Sequence, residues 1–224
     1  RQTTHATSRR GLMVALDLEQ YSYAQDAMTL IRTTEGTVLE RLPPRIEVRQ
    51  DAPLETPHIL VLIDDPQRTV IEPLAQISLP LAYDTQLMFG GGHVRGWHVQ
   101  DPQHIAQVVD ALRALVATPD PLLYAMGDGN HSFATAKEVW EQLKAQAGGL
   151  QAVADPPARY ALVELVNLHD EGLTFEPIHR VVFNVDHSVL LAAMTDDYRR
   201  QGSTVEIDYV DDRSMWQQTC DGLV

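Results

Sequence analysis

The feature that most constrains this chain is a strand, a glycine-broken loop and a helix in immediate succession: LLYAM (122–126), GDGNHS (127–132) and FATAKEVWEQLKAQAGG, ended by Gly148 and Gly149. A buried strand that turns directly into a helix must pack that helix back onto its own sheet, so the unit commits the chain to a layered α/β or α+β architecture. The glycine pair is a helix stop, because glycine takes the left-handed conformation at that position without strain. In the loop, Gly127, Gly129 and Ser132 follow a G-x-G-x-x-S pattern, and a helix that opens in this way presents free backbone N–H groups and the positive end of its dipole to an anion.

The remaining segments read as further strands and helices. HILVLIDDP (58–66) is an unbroken β-branched and leucine run ending in Asp64-Asp65-Pro66, the pattern of a buried strand closed by a turn. GLMVALDL (11–18) and ARYALVELVNL (158–168) are also strand-like, and RIEVR after Pro43-Pro44 is expected to be a short strand. YDTQLMFGGGHVRGWHV (83–99) holds two short strand-like pieces around three glycines. DPQHIAQVVDALRALV (101–116) carries a helical apolar stripe with Asp101 as N-cap and Pro102 in the first turn. SVLLAAMTDDYRRQG is a helix closed by Gly202, and STVEIDYV alternates as a strand. The order mixes βα units with successive strands, so the expected fold class is α/β (α+β), a mixed sheet flanked by helices. At 224 residues a chain buries roughly 70% of its unfolded surface and needs no staples. The expectation is one domain over 1–224, with a soft boundary near 147–157. The chain opens on Arg1, so a piece of a longer protein is compatible with it.

Charge narrows the partners. With 17 Lys+Arg against 31 Asp+Glu the net charge is −14, which argues against a nucleic-acid track or an anionic membrane as the partner. The excess is uneven: residues 1–50 carry seven Arg against six acids, and Arg32, Arg41, Arg45 and Arg49 fall in the run IRTTEGTVLERLPPRIEVR. Arginine suits bidentate capture of phosphate or carboxylate, although these four could equally be solvated partners of Glu35, Glu40 and Glu47. One cysteine, Cys220, excludes a disulfide framework and fits a reducing, cytoplasmic compartment. No apolar stretch approaches a membrane span, and no signal-peptide h-region is visible.

Other motifs are weaker. The dinucleotide fingerprint would require an acidic residue about 20 positions past the glycines at a strand end, and that region reads as helix and loop. Gly90-Gly91-Gly92-His93 lacks P-loop spacing; it is either a turn or bulge or a second anion loop involving Gly91 and His93. No H-E-x-x-H or G-x-S-x-G occurs. His169-Asp170-Glu171 after a strand resembles a site rim, as does His179-Arg180.

The runs GLMVALDLEQY, LIRTTEGTVLERLPPR, PHILVLIDDP with VIEP, LMFGGGHVRG, MGDGNHSFATAKEVWE and VELVNLHDEGLTFEPIHRVVF resemble the bacterial family known as domain of unknown function 1015, over roughly residues 9–183. Many of its members read D-G-H-H-R where this chain has Asp128-Gly129-Asn130-His131-Ser132, and that motif is similar to the loop-helix box of the ParB/sulfiredoxin-like superfamily. The resemblance implies a ParB/sulfiredoxin-like core that holds nucleotide phosphates at the loop. Ser132 stands where that box has Arg, so the Arg32–Arg49 run becomes the candidate source of cation. The box contains no cysteine, which excludes a sulfiredoxin reaction.

Together these readings predict a Mg²⁺-dependent phosphotransferase or nucleotide hydrolase acting on a nucleoside tri- or diphosphate. Gly127, Gly129, Asn130 and Ser132 would receive the phosphates, Arg32, Arg41 and Arg45 would clamp them, and Asp128 or Asp64 would hold the metal. His131 or His169 would serve as acid/base, with Asp128 also in the catalytic set. The alternative is a module that senses a small anion or nucleotide without turnover.

Overall fold

The structure, a computed structural model, describes residues 8–207 except 25, 57, 117, 118, 120, 154, 155 and 174–181. The chain divides into two compact units, residues 1–173 and 174–224. In chain order the elements are β1 (Leu12–Asp17), β2 (Ile31–Thr33), α1 (Leu42–Arg49), β3 (Leu60–Ile63), β4 (Leu81–Gln86), β5 (His93–Trp97), α2 (Pro102–Leu115), β6 (Tyr124–Asp128), α3 (Asn130–Ala147), β7 (Tyr160–Asn167) and α4 (His187–Arg200). The fold is therefore the mixed α+β arrangement expected from the alternation of elements. No helix among the described residues is long and apolar enough to cross a membrane.

The first unit is built on a five-stranded sheet of order β1-β7-β3-β6-β2. Its directions decide where functional groups meet. β7 and β3 run parallel, β6 and β2 run parallel, and the two pairs oppose each other because β3 is antiparallel to β6. Each pair thus delivers its strand ends to a different edge of the sheet. Period-two alternation sends Ile59, Val61 and Ile63 to one face, together with Val163, Leu165 and Met126, and there they meet Phe133, Ala136 and Trp140 of α3 in the main core. α3 leaves the sheet through Gly129, which is left-handed at φ +86°; a Cβ there would stand 3.1 Å from the carbonyl oxygen of His58. Gly148, also left-handed, closes the helix as expected.

Three expectations are corrected. RIEVR is helical, forming most of α1: Pro43 and Pro44 lie in the first turn, where no N–H is required, and Leu42, Ile46 and Arg49 share the less exposed side. The six-residue loop 127–132 shrinks to one residue, since β6 runs through Asp128 and α3 begins at Asn130. Residues 203–207, the described part of the alternating STVEIDYV segment, form no strand. The glycine-rich stretch at 90–92 is the turn of the β4–β5 hairpin, a two-stranded sheet of its own. In the second unit the described residues form α4, capped by Asp186, whose Oδ1 accepts from the backbone N–H of Ser188 at 2.9 Å and Val189 at 3.1 Å.

Candidate functional site

Parallel β6 and β2 end side by side, with Thr33 paired to Met126, so the segment after β2 falls across the start of α3. Three hydrogen bonds fix it there. Thr34 Oγ1 donates to the carbonyl of Met126 at 2.6 Å, the backbone N–H of Val38 donates to His131 Nε2 at 3.2 Å, and Arg49 Nη1 donates to the carbonyl of Ser132 at 3.2 Å. α1 packs on α3 beside them. The β2–β6 pairing brings the segment that follows Arg32 beside the glycine turn, where Arg49 bonds the Ser132 carbonyl.

The turn has the character of an acceptor-seeking surface. No side chain caps α3, and its first helical hydrogen bond runs from Phe133 N–H to the Gly129 carbonyl at 2.9 Å. The N–H groups of Asn130, His131 and Ser132 are therefore the donors that a helix start leaves over. Asn130 is only 5% exposed, and its Oδ1, like the Oγ1 of Thr37, is buried without a hydrogen-bond partner among the described residues. Asp128 is exposed; its Oδ1 accepts from the Gly129 N–H at 2.7 Å. Gly127, with its neighbours Leu60 and Leu62, lines the sheet face opposite the main core.

The arginines play different parts. Arg49 is half-buried, and its second nitrogen pairs with Glu55 at 2.5 Å rather than with Glu47; burial pulls its guanidinium pKa down, against the opposing influence of Glu55. Arg32 lies on β2, and its Nε donates to the Thr29 carbonyl at 3.0 Å. Arg41 and Arg45 are exposed on and before α1.

The other half of the expected site lies elsewhere. β3 and β7 end together at the opposite edge, with Ile63 paired to Asn167, and there His169 Nε2 meets Asp64 Oδ1 at 2.8 Å. Four residues of β3 separate the two edges, about 13 Å at strand rise. Asp64 and His169 thus form one group, Asp128 and His131 another. Gly91 and His93 belong to the β4–β5 hairpin, where His93 Nε2 pairs with Asp84 at 2.5 Å. His179 and Arg180 lie outside the described residues.

Several residues that sequence reasoning passed over prove central. Asp65, not Asp64, is the fully buried member of the pair: its carboxylate accepts from the N–H groups of Thr69 at 2.6 Å and Val70 at 2.9 Å. Asn167 is buried beside it and bridges to Glu72 at 2.9 Å. Glu164 takes a bidentate contact from Arg9 at 2.7 and 2.9 Å and one from His58 at 2.8 Å. The sequence signal for this group is a polar residue set in a largely apolar strand, as Glu164 and Asn167 are.

A family model described as "Protein of unknown function (DUF1015)" matches residues 1–217. The chain belongs to this family. No curated protein and no solved structure matches it.

Proposed function

We propose that this DUF1015 protein binds the phosphates of a nucleoside tri- or diphosphate at the start of α3 and acts in phosphoryl transfer or nucleotide hydrolysis with Mg²⁺. The observation that carries the reading is the α3 start on a left-handed glycine, which no side chain caps. Helix starts of this kind supply N–H donors and a positive dipole end to phosphate oxygens. The similarity of Asp128-Gly129-Asn130-His131-Ser132 to the ParB/sulfiredoxin-like box supports the same assignment. Exposed Arg41 and Arg45 offer the cation that Ser132 does not. Among the described residues no three His, Cys, Asp or Glu side chains gather as a metal site. Asp128 alone, with phosphate oxygens and water, is the kind of ligand set that Mg²⁺ accepts. When bound, the metal would neutralise charge on the transferring phosphoryl group.

One observation favours a second reading, a sensing module without turnover. His131 Nε2 accepts the Val38 N–H, so the nitrogen facing that segment is already occupied and proton transfer there requires the 34–38 segment to let go. Titration calorimetry with Mg²⁺ and ATP, ADP or GTP, followed by phosphate release with and without added acceptors, separates the two. Saturable binding weakened about tenfold in Asp128→Asn, with turnover, supports the enzyme. Binding without turnover supports the sensor, and no binding by any nucleotide removes the enzyme and the nucleotide sensor alike.

A further inference from the structure

We propose that the cavity at the C-terminal ends of β3 and β7 is a binding site for a small zwitterion, a molecule carrying a protonated amine and a carboxylate a few bonds apart. The site lies at the opposite sheet edge from the α3 turn and does not rest on the nucleotide reading. Its volume is about 300 Å³, at the small end of ligand cavities, and it is lined by Ser8, Arg10, Arg68, Glu72, Asp170 and Glu171.

The walls carry both signs of charge, and their bonding separates groups already committed from groups left over. Asn167 is saturated: its Oδ1 accepts from the N–H of Asp65 at 3.3 Å and of His169 at 3.2 Å, while its Nδ2 donates to the Asp65 carbonyl and to Glu72 Oε1, both at 2.9 Å. Glu72 is therefore held by a buried network, yet its Oε2 is buried with no hydrogen-bond partner among the described residues. A carboxylate oxygen left in that state costs free energy until a donor answers it. On the facing charge, Arg68 is tied down, donating to the His169 carbonyl at 3.1 Å and standing 3.5 Å from Glu171. Arg10 is not: its backbone N–H anchors it to Asp170 at 3.1 Å, and its exposed guanidinium makes no hydrogen bond or ion pair with the described residues.

The leftover groups are thus one fixed acceptor and one open, planar cation. An ammonium answers Glu72, and a carboxylate answers Arg10 in the bidentate manner that guanidinium favours. A simple anion would leave Glu72 unanswered, and a simple cation would leave Arg10 open. A ligand bearing both charges answers both.

The test is titration calorimetry on the full chain with a panel of free α-amino acids plus β-alanine and γ-aminobutyrate, which span the charge separation. Ethylammonium and acetate serve as single-charge controls. At least one zwitterion binds saturably and the controls do not; Arg10→Ala and Glu72→Gln each weaken it at least about tenfold, and Asp128→Asn leaves it unchanged. Glu72→Gln keeps a group able to bond Asn167, and Arg10→Ala changes an exposed side chain, so thermal melts identify any variant that fails to fold and the other still decides. The proposal is overturned if no zwitterion binds and the cavity holds water only. It is equally overturned if acetate or ethylammonium binds as well as the zwitterion, or if binding survives both substitutions.

Discussion

At the residue scale, chemical identity and structural duty often diverge. His131 has the side chain of an acid/base but is used as an acceptor for Val38, and Asp65 has the side chain of a metal ligand but spends its oxygens on Thr69 and Val70. Gly129, by contrast, is needed for what it lacks: its positive φ strains any residue with a Cβ, and the His58 backbone stands close to where one would lie. Glu164 gives this scale its prediction. Burial pushes its carboxyl up, but the hydrogen bond from His58 and the charge and hydrogen bonds of Arg9 outweigh burial and hold it below the ordinary 4.5. A carboxylate depressed in the folded state adds stability above its unfolded value and loses it as pH falls through that range. The stability gap between wild type and Glu164→Gln, followed by urea unfolding, is expected to be widest above about pH 5 and to narrow steadily toward about pH 3. A gap independent of pH would show that the Arg9 and His58 contacts do not select the ionised form.

At the element scale, the decisive assignment is α1. Its eight residues are too short and too mixed for periodicity to separate helix from strand, and a proline pair fits either entry. What accompanies the helix is α3: Leu42 is the buried residue of α1, 4% exposed, and α1 packs on α3. Leu42→Ala should cost about 2–4 kcal/mol in chemical denaturation, the range for a buried leucine truncated beside a helix that cannot fully collapse on it. A loss below about 1 kcal/mol would show that α1 is held by the Arg49 and Val38 hydrogen bonds instead. Elements with strong local signals needed no such arbitration. Asp101 caps α2 as its position indicated, accepting from the Gln103 N–H at 2.8 Å, and the β3 run is most buried on alternate residues because one face of the sheet packs on α3.

At the scale of the folded unit 1–173, the two opposed parallel strand pairs organise everything else. They place a glycine turn with exposed arginines at one edge and a charged cavity at the other, and no β3 residue serves both. The two edges should therefore be energetically independent. In a double-mutant cycle, Leu42→Ala and Glu72→Gln are expected to add within about 0.5 kcal/mol, whereas a larger coupling would mean that β3 transmits between them. The sequence by itself determined the strand-turn-helix unit, the buried runs, the N-cap of α2, the glycine stop of α3 and the concentration of arginine near the start, because each rests on contacts between near neighbours or on a side chain's intrinsic conformational preference. Membership of the DUF1015 family was legible in the same way, from contiguous runs. Only the tertiary structure decided that β3 opposes β6, that Asp64 and His169 part from Asp128 and His131, and that Arg49 reaches Ser132, Glu72 meets Asn167 and Arg9 meets Glu164. Strand direction and register join residues up to 160 positions apart, and no local pattern encodes them.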